Sequence, residues 1–168
     1  EGEFVIRTLD AGSDKPLKLD YTAARARLAV PELAQALAAV GLPDATELIG
    51  CFVMDKPALK AFAEGGVEMS DDLPWAEYDA PKQVYARKVP ESLDLLTPRL
   101  TSPMAIMDPD SLDADAKAAV VRRHESRVSD IAATRGYYGG MVMGSEALDG
   151  FINSLRIDPA NPNARFYL

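Results

Sequence analysis

The chain divides at a short stretch that reads SDDLPWAEYDAP and spans residues 70–81. It contains the only tryptophan of the chain, two prolines and two adjacent aspartates. Aspartate side chains accept hydrogen bonds from nearby backbone amides, and Pro74 restricts Leu73 to extended conformations. A strand-compatible run follows, with the side chains Trp75, Glu77 and Tyr78. These residues predict a turn that leads into an edge strand and separates two helix-rich halves.

The composition is that of a soluble globular protein, because 48% of the 168 residues are hydrophobic and 26% are charged. This length suffices for one domain with a sizeable core or for two small units. The net charge of -8 argues against binding to nucleic acid or anionic lipid, since both need clustered Lys and Arg. No run approaches the roughly 18 consecutive apolar residues that span a bilayer. Glu1-Gly2-Glu3 does not resemble a signal peptide and lacks an initiator Met, so we expect an excised or processed piece of a longer protein.

Capping and turn signals predict four short helices before the dividing stretch. The four helices should begin at Asp20 or Thr22, at Pro31, at Asp44 and at Asp55. Gly41 should end the second helix, and Gly65-Gly66 should end the fourth. The first of these helices should run to Val30. A β-rich segment, residues 3–9, predicts one strand, and residues 17–19 predict a second short extended run. Short helices in quick succession indicate packed helix hairpins, not a parallel sheet.

The second half is predicted to be helical as well. A short helix begins at Pro90, and a crossing loop covers residues 99–110. A long helix then starts at Asp110 or Ser111 and is interrupted near Gly136, Gly139 and Gly140, since each glycine costs a helix about 1 kcal/mol. Such glycines indicate either close backbone packing or a genuine break. The last helix covers residues 145–156. The prediction is a mainly α fold with one or two short β segments, divided into units at residues 1–110 and 111–168.

The helix before the dividing stretch has a phenylalanine-rich end, because residues 51–55 read CFVMD and residues 61–66 read AFAEGG. With Ser70 to Pro74, Glu77-Tyr78 and Ala80-Pro81, this order resembles the C-terminal part of spermidine synthase-like proteins. In that family a Thr-Asp-Asp-Arg-Pro stretch, a Glu-aromatic pair and an Ala-Pro follow such a helix. Ser70 stands where Thr is usual, and Leu73 stands where Arg is usual. The resemblance covers roughly residues 3–85, about half of the chain.

This resemblance implies a region that follows the catalytic core of an aminopropyltransferase. The Gly-rich donor-binding motif and the catalytic Asp of the family are not found in this sequence, so we expect no catalytic residue, cofactor or metal in this chain. The parent protein would carry the transferase activity. Because the family is often embedded in a membrane, the resemblance would place this region on the cytoplasmic side. Asp71, Asp72 and Glu77 would suit a cationic amine, and Pro74, Trp75 and Tyr78 would be structural or interaction residues. A turn explains the same acids without a ligand.

A second pattern lies at the C-terminus, where Tyr138, Ala147, Phe151 and Pro159 occur at intervals of nine, four and eight residues. These intervals resemble those of a tetratricopeptide repeat, in which the small residue allows close helix approach and the aromatic residue fills the gap. Ile131 stands where the repeat has Trp. One repeat cannot bury its own apolar face. The resemblance therefore implies a cap from residues 113–130, a longer array or self-association, whereas a coincidental amphipathic hairpin would need none of these.

Other residues with chemical potential have simpler interpretations. The only histidine, His124, lies among charged residues and is predicted to be on a solvated helix face. The only cysteine, Cys51, is predicted to be a small buried hydrophobe and cannot form an intramolecular disulfide. One acidic cluster is explained more simply by helix capping than by a metal: Asp108, Asp110, Asp113 and Asp115.

Two hypotheses of function follow. The first is a non-catalytic C-terminal region of a spermidine synthase-like protein, which supports the catalytic core of the parent and offers a helical interaction surface. The second is an independent helical module that binds proteins and has no connection to polyamines. Both hypotheses allow the chain to self-associate, and neither expects it to bind nucleic acid.

Overall fold

A computed structural model describes residues 17–66, 89–140 and 144–168 of the chain. These residues form eight α-helices and three short 3-10 turns. The α-helices are α1 Tyr21–Leu28, α2 Pro31–Ala38, α3 Ala45–Gly50, α4 Lys56–Ala63, α5 Val89–Leu96, α6 Ala114–Gly140, α7 Ser145–Ile157 and α8 Pro162–Tyr167. The prediction of a mainly α fold is confirmed. The predicted strand at residues 3–9 and the dividing stretch at residues 70–81 lie outside the described residues.

The caps of three N-terminal helices are those that the sequence predicts. The Asp20 carboxylate accepts from the Ala23 amide at 2.9 Å, Asp44 accepts from Glu47 at 2.9 Å, and Asp55 accepts from Ala58 at 3.0 Å. α2 begins at Pro31, where a missing amide proton costs nothing. Gly41 has a φ of 78° and turns the chain back after α2. The helix α1 ends at Leu28, two residues before the predicted end.

One isolated parallel β-bridge joins Leu19 to Met107. The Leu19 amide donates to the Ile106 carbonyl at 2.7 Å, and the Asp108 amide donates to the Leu19 carbonyl at 2.9 Å. It is the only β pairing among the described residues. The bridge ties the segment before α1 to the segment before α6, although 88 positions separate the two bridged residues (107 minus 19).

The predicted start of the long helix at Asp110 or Ser111 is wrong, because α6 begins at Ala114. Pro109–Ser111 instead forms a 3-10 turn. The Ser111 hydroxyl donates to the Asp108 carbonyl at 2.7 Å and accepts from the Tyr21 amide at 2.9 Å, so this residue serves the N-terminus of α1. The cap of α6 is Asp113, whose carboxylate accepts from the Ala116 amide at 2.7 Å.

The predicted interruption near Gly136, Gly139 and Gly140 falls at the end of this stretch, because α6 runs through Gly136 and ends at Gly140. α6 and α7 lie antiparallel, because residues 126, 133 and 136 of α6 contact residues 154, 150 and 147 of α7. A Cβ atom at Gly150 would lie 2.7 Å from the Cβ of Ala133, and one at Gly136 would lie 3.6 Å from the Cβ of Ala147. The glycines therefore allow close backbone packing, which was the other possibility left open by the sequence.

Two apolar clusters form the core of the described residues. The first contains Tyr21, Ala45, Ile49, Met107 and Val120, and the second contains Ala133, Phe151 and Ala164. α6 contributes Val120 to the first and Ala133 to the second. The boundary between units at residue 110 stays a prediction. Within the described ranges, no helix is both long and apolar enough to cross a bilayer.

Replacing Gly150 with alanine should destabilise the protein by about 1–3 kcal/mol, because the new methyl group overpacks against Ala133. Gly139 provides the matched control on the neighbouring helix. There a Cβ meets only the flexible end of Arg135 at 3.9 Å, so alanine should raise stability by up to about 1 kcal/mol. Urea unfolding of both variants measures the difference. Equal effects from the two substitutions would contradict the close packing of α6 and α7.

Candidate functional site

A cluster of buried polar side chains lies where α3, α6 and the turn after α7 meet. We call it the polar cluster, and its members are Glu47, Arg123, Ser126, Arg127, Asp130, Ser154, Asp158 and Asn161. The three carboxylates are almost fully buried, with exposed fractions of 3% for Glu47, 3% for Asp130 and 4% for Asp158. Buried carboxylates require cationic or hydrogen-bonding partners, so the cluster is the first place to look for function.

The arginines of α6 bridge these carboxylates. An Arg123 guanidinium nitrogen lies 2.8 Å from Glu47 Oε1 and also pairs with Asp158. Arg127 lies 3.4 Å from Glu47 Oε2 and 3.9 Å from Asp130 Oδ2. Burial raises the pKa of the Glu47 carboxyl, although the nearby Arg127 and Arg123 charges oppose that shift. Three carboxylates facing two guanidinium groups leave the cluster with a formal charge of -1 (two minus three) when all are ionised.

Asn161 organises the remaining polar groups. Its side-chain nitrogen lies 2.7 Å from Ser126 Oγ, 2.8 Å from Asp130 Oδ2 and 2.9 Å from Ser154 Oγ. Its side-chain oxygen accepts from the amides of residues 163 and 164 and so caps α8. The Ser126 and Ser154 hydroxyls lie 2.8 Å apart and connect α6 to α7. The residue thus links two helices to the start of a third.

The sequence analysis did not find this cluster, although one signal was present. Arg123, Ser126, Arg127 and Asp130 recur at steps of three, one and three, which places them on one face of α6. A polar stripe of this kind is usually solvated, but here α3 and the 158–161 turn cover it. The partners Glu47 and Asp158 lie 76 residues upstream of Arg123 and 35 residues downstream of it, and no local pattern predicts these pairings (123 minus 47; 158 minus 123).

Chemically, the polar cluster is suited to holding helices together. Each of its carboxylates faces an arginine or an asparagine of the same chain, as expected for buried charges that stabilise a unique arrangement. Among the described residues, no group of three or more His, Cys, Asp or Glu side chains is placed to hold a metal ion. Asp108 and Asp113 of the acidic segment accept hydrogen bonds from nearby amides, which confirms their predicted capping.

His124 is buried next to the polar cluster, so its predicted position on a solvated helix face is wrong. Only 8% of it is exposed, because α3 packs against this side of α6. Burial lowers the pKa of the imidazole. Hydrogen bonding with the Gly50 backbone is the largest effect that opposes this shift. The prediction for Cys51 is wrong in the opposite direction, since this residue is exposed at the end of α3. Neighbouring atoms still desolvate its thiol and raise the pKa.

A cleft of about 680 Å³ lies at the end of α6, between α5 and the start of α7. Its walls carry the backbone of four glycines and the charged side chains Glu91, Asp94, Arg135 and Glu146. Arg135 pairs with Asp94 through two bonds of 2.9 and 3.0 Å, and this contact lowers the pKa of Asp94. The only cation among these wall residues is thus already paired within the chain.

The structure places four of the site residues predicted from the sequence. Ala147 and Phe151 are buried on α7, Pro159 is exposed in the turn that follows Ile157, and Tyr138 is half-buried near the end of α6. The ring stacked on Phe151 belongs to Tyr167 of α8, at a centroid distance of 4.5 Å. Tyr138 contacts Tyr137 edge to face at 5.2 Å. The other predicted residues lie outside the described ranges: Asp71, Asp72, Pro74, Trp75, Glu77 and Tyr78.

Comparison with known proteins identifies no relative. No family model matches the chain, and no curated protein or solved structure matches it. The spermidine synthase-like and tetratricopeptide-like resemblances therefore rest on the sequence patterns described above.

Proposed function

We propose that this chain is a non-catalytic helical region of a spermidine synthase-like protein, which supports the catalytic core of its parent and offers a helical interaction surface. The order of motifs between residues 48 and 81 supports the connection to polyamine chemistry. The layered helices of the C-terminal part support the structural role. Neither the polar cluster nor the cleft suggests a different chemistry, because their charged groups face one another.

The observation that carries the interaction role is the exposed apolar end of α8. Phe166 is 72% exposed and Leu168 is 53% exposed, although they lie only two and four positions after the buried residue Ala164. Large aromatic and aliphatic side chains are common in the centres of protein interfaces. In a helical array, an exposed apolar side chain of this kind is covered by the neighbouring structural layer.

We propose that the layer covering this end belongs to the catalytic core of the parent protein. In the alternative hypothesis, the chain is an independent interaction module, and the same end binds a second copy or another protein. The two hypotheses differ in their relation to amines. Only the first expects Asp71, Asp72 and Glu77 to bind a cationic amine, whereas the second leaves the two aspartates to a turn.

An amine-binding test separates the two hypotheses. If Asp71 and Asp72 bind an amine, millimolar spermidine should raise the melting temperature of the purified chain. The shift should vanish in the double variant Asp71→Asn, Asp72→Asn, because Asn can accept the hydrogen bonds of a turn but carries no charge. A wild-type chain without any shift would remove the amine ligand and favour the independent module.

The non-catalytic role is tested with the same preparation. We expect no aminopropyl transfer from decarboxylated S-adenosylmethionine to putrescine, because the sequence contains no Gly-rich donor-binding loop. Turnover by the purified chain would overturn the proposal. The coding sequence upstream of Glu1 provides an independent check, since the proposal expects a Gly-rich strand-turn-helix there.

A further inference from the structure

His124 lies in the contact between α3 and α6, the main connection between the N-terminal helices and the rest of the described chain. His124 is 8% exposed, and its Nδ1 atom is buried. Hydrogen bonding with the backbone of Gly50 and Phe52, at the end of α3, favours the protonated ring, but burial has the larger effect. The two helices approach closely here, because a Cβ atom at Gly50 would lie 2.5 Å from Arg123 Cγ. Such packing excludes the water that a charged imidazole needs.

The charges near His124 are already engaged with one another. Glu47 from α3 and Asp158 from the turn after α7 both pair with Arg123, and Arg127 pairs with Glu47. Of the 3-10 turns that pack on α6, Pro103–Ala105 has no titratable side chain. In the other such turn, Arg99 donates to the Leu95 carbonyl.

Charged residues of α6 itself flank His124 in the sequence. Glu125 is the one acid next to it in sequence, and Arg122 and Arg123 precede it. The Asp94 carboxylate of α5 is bound to Arg135, eleven positions further along α6 (135 minus 124). A proton on His124 would thus add a positive charge beside two arginines, with one adjacent carboxylate to offset it.

We propose that His124 acts as a pH-sensitive contact, in which protonation of the imidazole weakens the packing of α3 against α6. Loss of this packing would separate Ala45 and Ile49 from Val120 and open the first apolar cluster. α3 would then separate from α6, while the bridge between Leu19 and Met107 still joins the N-terminal segment to the segment before α6. The proposal does not depend on polyamine chemistry, because it concerns only the helix contact.

The direction of the pH effect follows from burial. Burial lowers the pKa of His124, and this outweighs the opposing effects of Gly50, Glu125 and Phe52. A histidine whose pKa is lowered in the folded state makes its full contribution to the free energy of unfolding at high pH. This contribution is lost as the pH falls from about 6.5, the value in the unfolded chain, towards the folded pKa. Glu47 cannot imitate this loss, because its raised pKa makes the fold more stable as the pH falls.

Because His124 is the only histidine, its proton NMR signals are unambiguous. We expect it to titrate below its ordinary pKa of about 6.5 in the folded chain. Over about pH 7.5 to 5, amides of α3 should exchange faster with deuterium than intrinsic rates explain. The opening equilibrium should rise up to about tenfold for each pH unit between the unfolded and folded pKa. Amides in α7 should show a smaller change.

The variants His124→Gln and His124→Leu supply the controls, since neither side chain titrates. In both, the opening of α3 should no longer increase as the pH falls through this range, whatever their absolute stability. If one variant does not fold, the other and the wild-type NMR titration still decide the outcome. A folded-state pKa at or above the ordinary value would overturn the proposal. So would the same pH dependence of α3 exchange in a variant and in the wild type.

Discussion

Replacing Arg123 with methionine is expected to lower the free energy of unfolding by about 3–5 kcal/mol, the range for breaking a buried ion pair by removing one partner. Arg123 is the only residue that bridges Glu47 of α3 to Asp158 after α7 among the described contacts. Without it, Asp158 loses its cation and Glu47 keeps only Arg127. Methionine retains most of the side-chain volume, so the loss reports mainly on the buried charges. Urea unfolding at neutral pH measures it.

Two comparisons isolate the electrostatic cause. Arg135→Met removes an arginine from the same helix, but its pair with Asp94 is about half exposed and should contribute little. The destabilisation in Arg123→Met should also shrink as the pH is lowered towards the ordinary carboxyl pKa of about 4, because protonation neutralises the stranded acids. A pH-independent loss would show that Arg123 acts through its packing alone.

Replacing Phe151 with alanine is expected to destabilise the protein by about 3–5 kcal/mol, the range for a buried aromatic residue. Phe151 has no exposed surface and lies in the second apolar cluster with Ala133 and Ala164. Its ring stacks on Tyr167, so truncation removes both apolar burial and an aromatic contact between α7 and α8. Such a loss is a large share of the 5–15 kcal/mol that stabilises a typical domain.

Phe166 is the matched control for Phe151, because it is the same residue type on the adjacent helix. It is 72% exposed, so Phe166→Ala should change stability by no more than about 0.5 kcal/mol. Chemical denaturation of the two variants in the same buffer measures the contrast. Similar losses would mean that Phe166 is covered in solution, for example by a second copy. Repeating the measurement at several protein concentrations would then reveal the association.

Local signals predicted much of the helical architecture. The caps Asp20, Asp44 and Asp55 act over three residues, and Pro31 acts on its own backbone, so the sequence contains all that is needed to locate these helix starts. The burial of Ala147 and Phe151 was also predictable, because a small residue and an aromatic residue four positions apart share a helix face. These predictions are confirmed by exposed fractions of 1% and 0%.

Other features could not be predicted because competing local signals were present. The acids and the serine between residues 108 and 113 offer several plausible caps, and a contact between Ser111 and Tyr21 decides which one α6 uses. Glycine lowers helix propensity at Gly136 and Gly150, but close contact with the opposite helix makes a side chain at Gly150 unacceptable. Tertiary packing thus overrides the local preference.

By itself, the sequence determined the helical class, most helix starts and the apolar face of α7, since these depend on interactions within one or two turns. Tertiary structure decided which polar residues are buried. Arg123 and Asp130 lie on a polar stripe of α6, and His124 lies beside it. The sequence suggests that these residues are solvated, but α3 and the 158–161 turn pack over them in the folded chain. Their partners are distant in the chain, and the free energy of a charge depends on whether water or an opposite charge surrounds it. Periodicity carries no information about that environment.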